Sequence, residues 1–117
     1  MEAKELMENI VKVLDSKKAK DIRAIRIGDL TILGEYFVIA TGTSSTQVKM
    51  LDEVDYQLGE KGVQPHRVEG YHSENWIILD YTDVIVHIFH EDTREFYDLE
   101  RLWADGEKVD LSGILKD

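Results

Sequence analysis

Residues 40–54, ATGTSSTQVKMLDEV, set Gly42 and the hydroxyls of Thr43, Ser44 and Ser45 at the mouth of an amphipathic stretch. Free backbone N–H groups and the positive end of a helix dipole favour an anion there, so a phosphate cradle is one chemistry these residues allow. A plain helix cap is the other. A P-loop needs G-x-x-x-x-G-K-[ST], and neither a second glycine nor a lysine follows Gly42 at that spacing; G-x-G-x-x-G fails equally. Nucleotidyl transfer pairs a Gly-Ser turn with two magnesium-binding carboxylates, which should lie two residues apart to share one face of a strand. Asp80 and Asp83 are three apart with a turn between them, and Asp52 and Asp55 fall in the helix. The dyad is missing, so Ser44 or Ser45 is read as an N-cap that satisfies orphan backbone N–H groups.

The other chemistries are weaker. Of His66, His72, His87 and His90, the last two lie three apart in an expected strand and point to opposite faces, and no carboxylate completes a metal set. No metal or cofactor is expected. A serine hydrolase lacks its G-x-S-x-G elbow. What remains is the stretch HSENWIILDYTDVIVHIFH, 72–90, which carries Trp76, Tyr81, His87 and Phe89 around a hairpin. Alternation gives this hairpin two apolar faces, of which one can lack a helix to cover it. Aromatics rimmed by acids suit a protein interface, while the plainer alternative is that both faces are core.

The elements that position these residues follow from periodicity. Ala3, Leu6, Met7, Ile10, Val13 and Leu14 space a first helix over about 2–17. Strands are expected at 21–29, 35–41, 65–70, 76–81 and 83–89, the last two joined by a tight turn at Thr82 and Asp83. Val48, Leu51, Val54 and Leu58 stripe a second helix ending near Gly59 or Gly62. Asp92 and Glu95 resemble a capping box ahead of a third stripe, Phe96, Leu99, Leu102 and Trp103. Residues 104–117 form an acidic tail in which Val109, Leu111, Ile114 and Leu115 can dock. The fold class is α/β or α+β: one domain over 1–117 with a mixed sheet of about five strands and helices against it.

Composition narrows the partners. The 117 residues contain no cysteine and no run of apolar residues long enough to span a membrane, and the chain reads as cytoplasmic. Its formal net charge is −10. That opposes a protein holding nucleic acid through phosphates, and favours a basic partner. Residues 69–110 hold twelve acids against Arg94, Arg101 and Lys108, so the excess is concentrated in the second half.

With these residues assembled, the chain resembles the ribosomal silencing factor family, also called Iojap-like. The matching motifs are YFVIATGTSSTQV at 36–48, VEGYHSENWIILDYTDVIVHIF at 68–89 and REFYDLERLW at 94–103, co-linear through 21–103. The resemblance implies a mixed sheet flanked by helices, similar to nucleotidyltransferases without their catalysis. It further implies a translation repressor that binds large-subunit ribosomal protein fourteen and sterically blocks joining of the small subunit; from charge and hydropathy, no sequence-specific nucleic-acid binding and no membrane binding are expected. By position it assigns partner binding to Trp76, Asp80, Tyr81, Asp83, His87 and Phe89 of the hairpin, and to Arg94, Tyr97 and Glu100 of the following helix. Tyr81 and Thr82 stand where a smaller pair such as Leu-Gly is expected. Two other classes stay open: a nucleotide-binding enzyme using the Gly42 turn, and an oligomerisation module pairing as a homodimer.

Overall fold

The computed structural model describes residues 2–32, 34–50, 53–70, 75–101 and 103–115. Its elements run α1 (Ala3–Ser16), β1 (Lys20–Arg26), β2 (Tyr36–Gly42), α2 (Ser45–Met50), α3 (Glu53–Glu60), β3 (Arg67–Glu69), β4 (Trp76–Asp80), β5 (Val84–His90), α4 (Glu91–Tyr97), a 3-10 turn (Leu99–Arg101) and β6 (Glu107–Lys108). Among the described residues, one sheet takes six strands in the order β3-β4-β5-β2-β1-β6. The central pair β2 and β5 is parallel, and the other pairings are antiparallel. Both central strands are almost continuously buried, as expected where each face is covered. The sixth strand exceeds the five expected: the tail docks through two polar residues that pair with Ile25 and Arg26, and Leu111 is buried behind them.

The sheet separates two cores. On one face Leu6, Met7, Ile10 and Leu14 of α1, with Val48, Val54 and Leu58 of α2 and α3, pack on Val38, Ala40, Ile77, Leu79, Val86 and Ile88. On the other, Ile25, Ile27, Phe37, Ile39 and Phe89 form a smaller cluster closed by Trp76, Leu99 and Trp103. Strand β4 records the difference in its burial: Ile77 and Leu79 are buried toward the helices, while Trp76, Ile78 and Asp80 on the second face remain half-exposed.

Leu51 and Asp52 of the second stripe lie outside the described residues, and two expectations change around α4. His90, rather than Asp92, caps α4, its Nδ1 accepting from the Asp92 N–H at 3.4 Å. The helix then stops at Asp98, which takes a left-handed conformation, so the stripe read as one helix is a short helix followed by a 3-10 turn; Leu102 lies outside the described residues.

The hairpin turn shows why a glycine is expected there. Thr82 sits at φ +73°, where a side chain crowds the following carbonyl, and Asp80 Oδ1 holds the turn by accepting from the Thr82 N–H at 2.8 Å. Replacing Thr82 with Gly relieves about 1–2 kcal/mol of strain and returns part of it as unfolded-chain entropy. Thr82→Gly should therefore stabilise the protein by about 0.5–1 kcal/mol, read as a higher urea midpoint at unchanged slope.

Candidate functional site

The mouth of α2 is filled by its own side chains. Ser44 Oγ accepts from the Gln47 N–H at 3.1 Å, and Gln47 Oε1 accepts from the Thr43 N–H at 2.7 Å and from the Thr43 hydroxyl at 2.9 Å. This is the reciprocal logic of a capping box. Gly42 is there for close packing, since a Cβ at that position would lie 2.8 Å from Val48 Cγ2 and 2.9 Å from its backbone nitrogen. Among the described residues, no three His, Asp or Glu side chains gather as a metal site; His72 lies outside them.

The second face of the sheet offers more. Trp76 stacks on Phe89 with ring centroids 4.9 Å apart, and Tyr97 of α4 meets the same indole at 4.9 Å. Phe96 lies edge-on to Tyr97 at 5.1 Å and is 81% exposed, against 51% for Tyr97. Ile78 and Ile85 continue this face along β4 and β5, both half-exposed. Among the described residues, α4 and the 3-10 turn cover only part of it. The acids Glu91, Asp92, Glu95 and Asp98 are exposed on and beside α4. The result is an apolar strip with an acidic border, suited to burying aromatic area against a basic partner.

The residues singled out from sequence fall into three groups. Trp76, His87, Phe89 and Tyr97 are brought together, though Phe89 is wholly buried and His87 is 9% exposed, so both support the surface from beneath. Asp80, Tyr81 and Asp83 sit at the turn, and Asp80 at the end of β4 is already four residues, or about 13 Å, from Trp76. There Asp80 holds the turn, Tyr81 is buried, and the Asp83 carbonyl accepts from the Glu35 and Tyr36 N–H groups at 2.7 and 3.0 Å. Arg94 and Glu100 form a latch: Arg94 Nη1 donates to the Asp21 carbonyl and to Thr41 Oγ1, each at 2.6 Å, while its Nε donates to Glu100 Oε1 at 3.1 Å. Ile78 and Ile85 lie in the same hairpin without having been singled out, although strict alternation along WIILD picks out Ile78, and Phe96, expected in the third apolar stripe, is instead 81% exposed.

The latch ties α4 to the sheet, and the Arg94 side chain is only 11% exposed. Hydrogen bonds to a charged group are worth about 1.5–3 kcal/mol, and the half-open Glu100 lowers its own share. Arg94→Leu should cost about 2 kcal/mol in denaturant unfolding and speed proteolysis around residues 91–101. Arg94→Lys should rescue little, because an ammonium cannot reproduce the guanidinium's spread of donors.

Burial among rings holds His87 in its neutral form and pushes its pKa down to about 4. Its Nδ1 accepts a hydrogen bond from Trp76 Nε1–H at 3.0 Å, which is possible only with that nitrogen unprotonated.

With this geometry in view, a family model described as ribosomal silencing factor during starvation matches residues 1–117. The chain is 35% identical over 116 residues to the ribosomal silencing factor of Halalkalibacterium halodurans, across 98% of this chain and 99% of that one. It is 30% identical over 102 residues to a Mus musculus protein named mitochondrial assembly of ribosomal large subunit protein 1, across 84% of this chain and 45% of that one. The crystal structure of a Chromobacterium violaceum protein superposes with a TM-score of 0.86 at 36% identity, covering 99% of this chain and 98% of that one.

Proposed function

Because the chain belongs to the ribosomal silencing factor family, we propose that it represses translation by docking on the large ribosomal subunit and denying that surface to the small subunit. The docking partner on this reading is large-subunit ribosomal protein fourteen, and the action is steric, without catalysis and in the cytoplasm. On this reading residues 1–117 act as one docking domain, with an N-terminal helix over about 2–17 and an acidic tail over 104–117. The observation that carries the reading is the incompletely covered second face, where Trp76, Ile78, Phe96 and Tyr97 keep apolar area in contact with solvent. A relative whose name speaks of ribosomal large-subunit assembly supports the large-subunit part of this reading. Direct contact falls to Trp76 and Tyr97, with Phe89 and His87 beneath them, Arg94 and Glu100 holding α4, and Asp80, Tyr81 and Asp83 shaping the far end. Co-sedimentation with separated subunits tests the proposal: the protein should pellet with large subunits and stay in the supernatant with small ones. Self-association of the free protein that competes with pelleting would favour a homodimer across the same strip.

The acidic border should act on the rate of encounter. Electrostatic steering operates over the Debye length, about 30 Å at 0.01 M salt and about 8 Å at physiological salt. Association with large subunits should therefore slow as salt rises, while dissociation changes much less. Reversing Glu91 or Glu95 to Lys should lower the association rate several-fold in stopped-flow measurements; a rate indifferent to salt would reject this role.

A further inference from the structure

Trp76 and His87 are diagonal neighbours on the second face, since the hairpin register pairs Trp76 with Phe89 and Ile78 with His87. Their rings lie 5.9 Å apart, and the bond from Trp76 Nε1–H to His87 Nδ1 is 3.0 Å long. His87 is itself fixed, its ring 4.7 Å from Phe37 and 6.0 Å from Phe89. At 9% exposure it reaches Trp76 while offering a partner almost no surface. An imidazole in such apolar company carries a desolvation cost that a leucine would not. The bond to the indole is the chemistry that only the polar ring supplies.

We infer that His87 is a positioning residue for docking: its Nδ1 anchors the indole edge of Trp76 so that the outer ring surface lies beside Tyr97 before a partner arrives. This rests on the docking reading above. A half-exposed tryptophan freed of that bond samples further rotamers, and ordering it on binding weakens the complex. The loss corresponds to about one hydrogen bond, or about tenfold in affinity.

The test uses the full chain and isolated large subunits. In the free wild type, the indole N–H resonance that disappears in Trp76→Phe should be shifted downfield and protected from exchange, with Trp103 as internal reference. His87→Leu should move that resonance toward a free indole and weaken large-subunit binding about tenfold, and His87→Gln, which restores an acceptor, should recover part of both. In the W76F background, His87→Leu should change affinity less than about twofold. A purely structural histidine would weaken binding equally in both backgrounds, and that result overturns the inference. So does full affinity in His87→Leu once its indole resonance has moved, or an indole resonance that does not move. Should His87→Leu fail to fold, the comparison rests on His87→Gln, which must then keep both the indole shift and most of the affinity. A wild type that binds no large subunits overturns the docking reading and this inference together, whereas equal binding by wild type and His87→Leu overturns this inference alone.

Discussion

Tyr97→Ala should weaken binding to large subunits by about 1–4 kcal/mol, the range of aromatic hot spots, while changing folding stability by no more than about 0.5 kcal/mol. The division follows from position. Tyr97 is 51% exposed and leans on Trp76 from the short α4, so truncating it removes contact area without opening a core. Trp76→Ala should cost at least as much binding, but it also strips the stacking on Phe89 and the hydrogen bond to His87, so folding suffers with it. Titration of each variant against large subunits, alongside urea unfolding, separates the two effects. If Tyr97→Ala binds normally, the aromatic strip is not the docking surface.

Acidification should destabilise the fold by up to about 3 kcal/mol before most carboxylates titrate. His87 has its pKa lowered from 6.5 to about 4 by burial. Between those values the unfolded chain binds the proton and the folded chain does not, so falling pH favours unfolding; the loss begins near pH 6.5 and levels off below about 4. The shift of about 2.5 units at 1.36 kcal/mol per unit sets the size. Asp110 acts in a lower window: the backbone N–H and hydroxyl of Ser112 hold its carboxyl below 3.8, so its contribution persists above that value and fades only as pH falls through the lowered one. Urea midpoints between pH 7.5 and 4 should fall steeply in the wild type and much less in His87→Leu. Parallel slopes in the two proteins would place the acid-sensitive group elsewhere.

Most of the fold was legible because its core elements carry their own signal. The strands β2 and β5 are apolar runs needing cover on both faces, and α1 repeats its apolar residues at helical spacing. Strand β6 was not legible: Glu107 and Lys108 have no strand character of their own and pair only because β1 presents an open edge. The third stripe misled for a different reason, because a 3-10 turn after Asp98 keeps Leu99 and Trp103 near helical spacing. The expectation of an uncovered hairpin face came from alternation, but alternation cannot tell which face receives the helices. That depended on α1, α2 and α3 all packing on one side. The latch was invisible for a simpler reason, since Arg94 reaches partners 53 and 73 residues away in sequence. Resemblance marked Arg94 and Glu100 as important without saying that they hold each other.

Light scattering after mixing separated subunits reads subunit joining directly. Large subunits preincubated with saturating protein should join small subunits much more slowly and to a lower final extent, and protein carrying both Trp76→Ala and Tyr97→Ala should restore the unhindered rate. Joining at the normal rate and extent, with the protein demonstrably bound to the large subunit, would contradict steric exclusion.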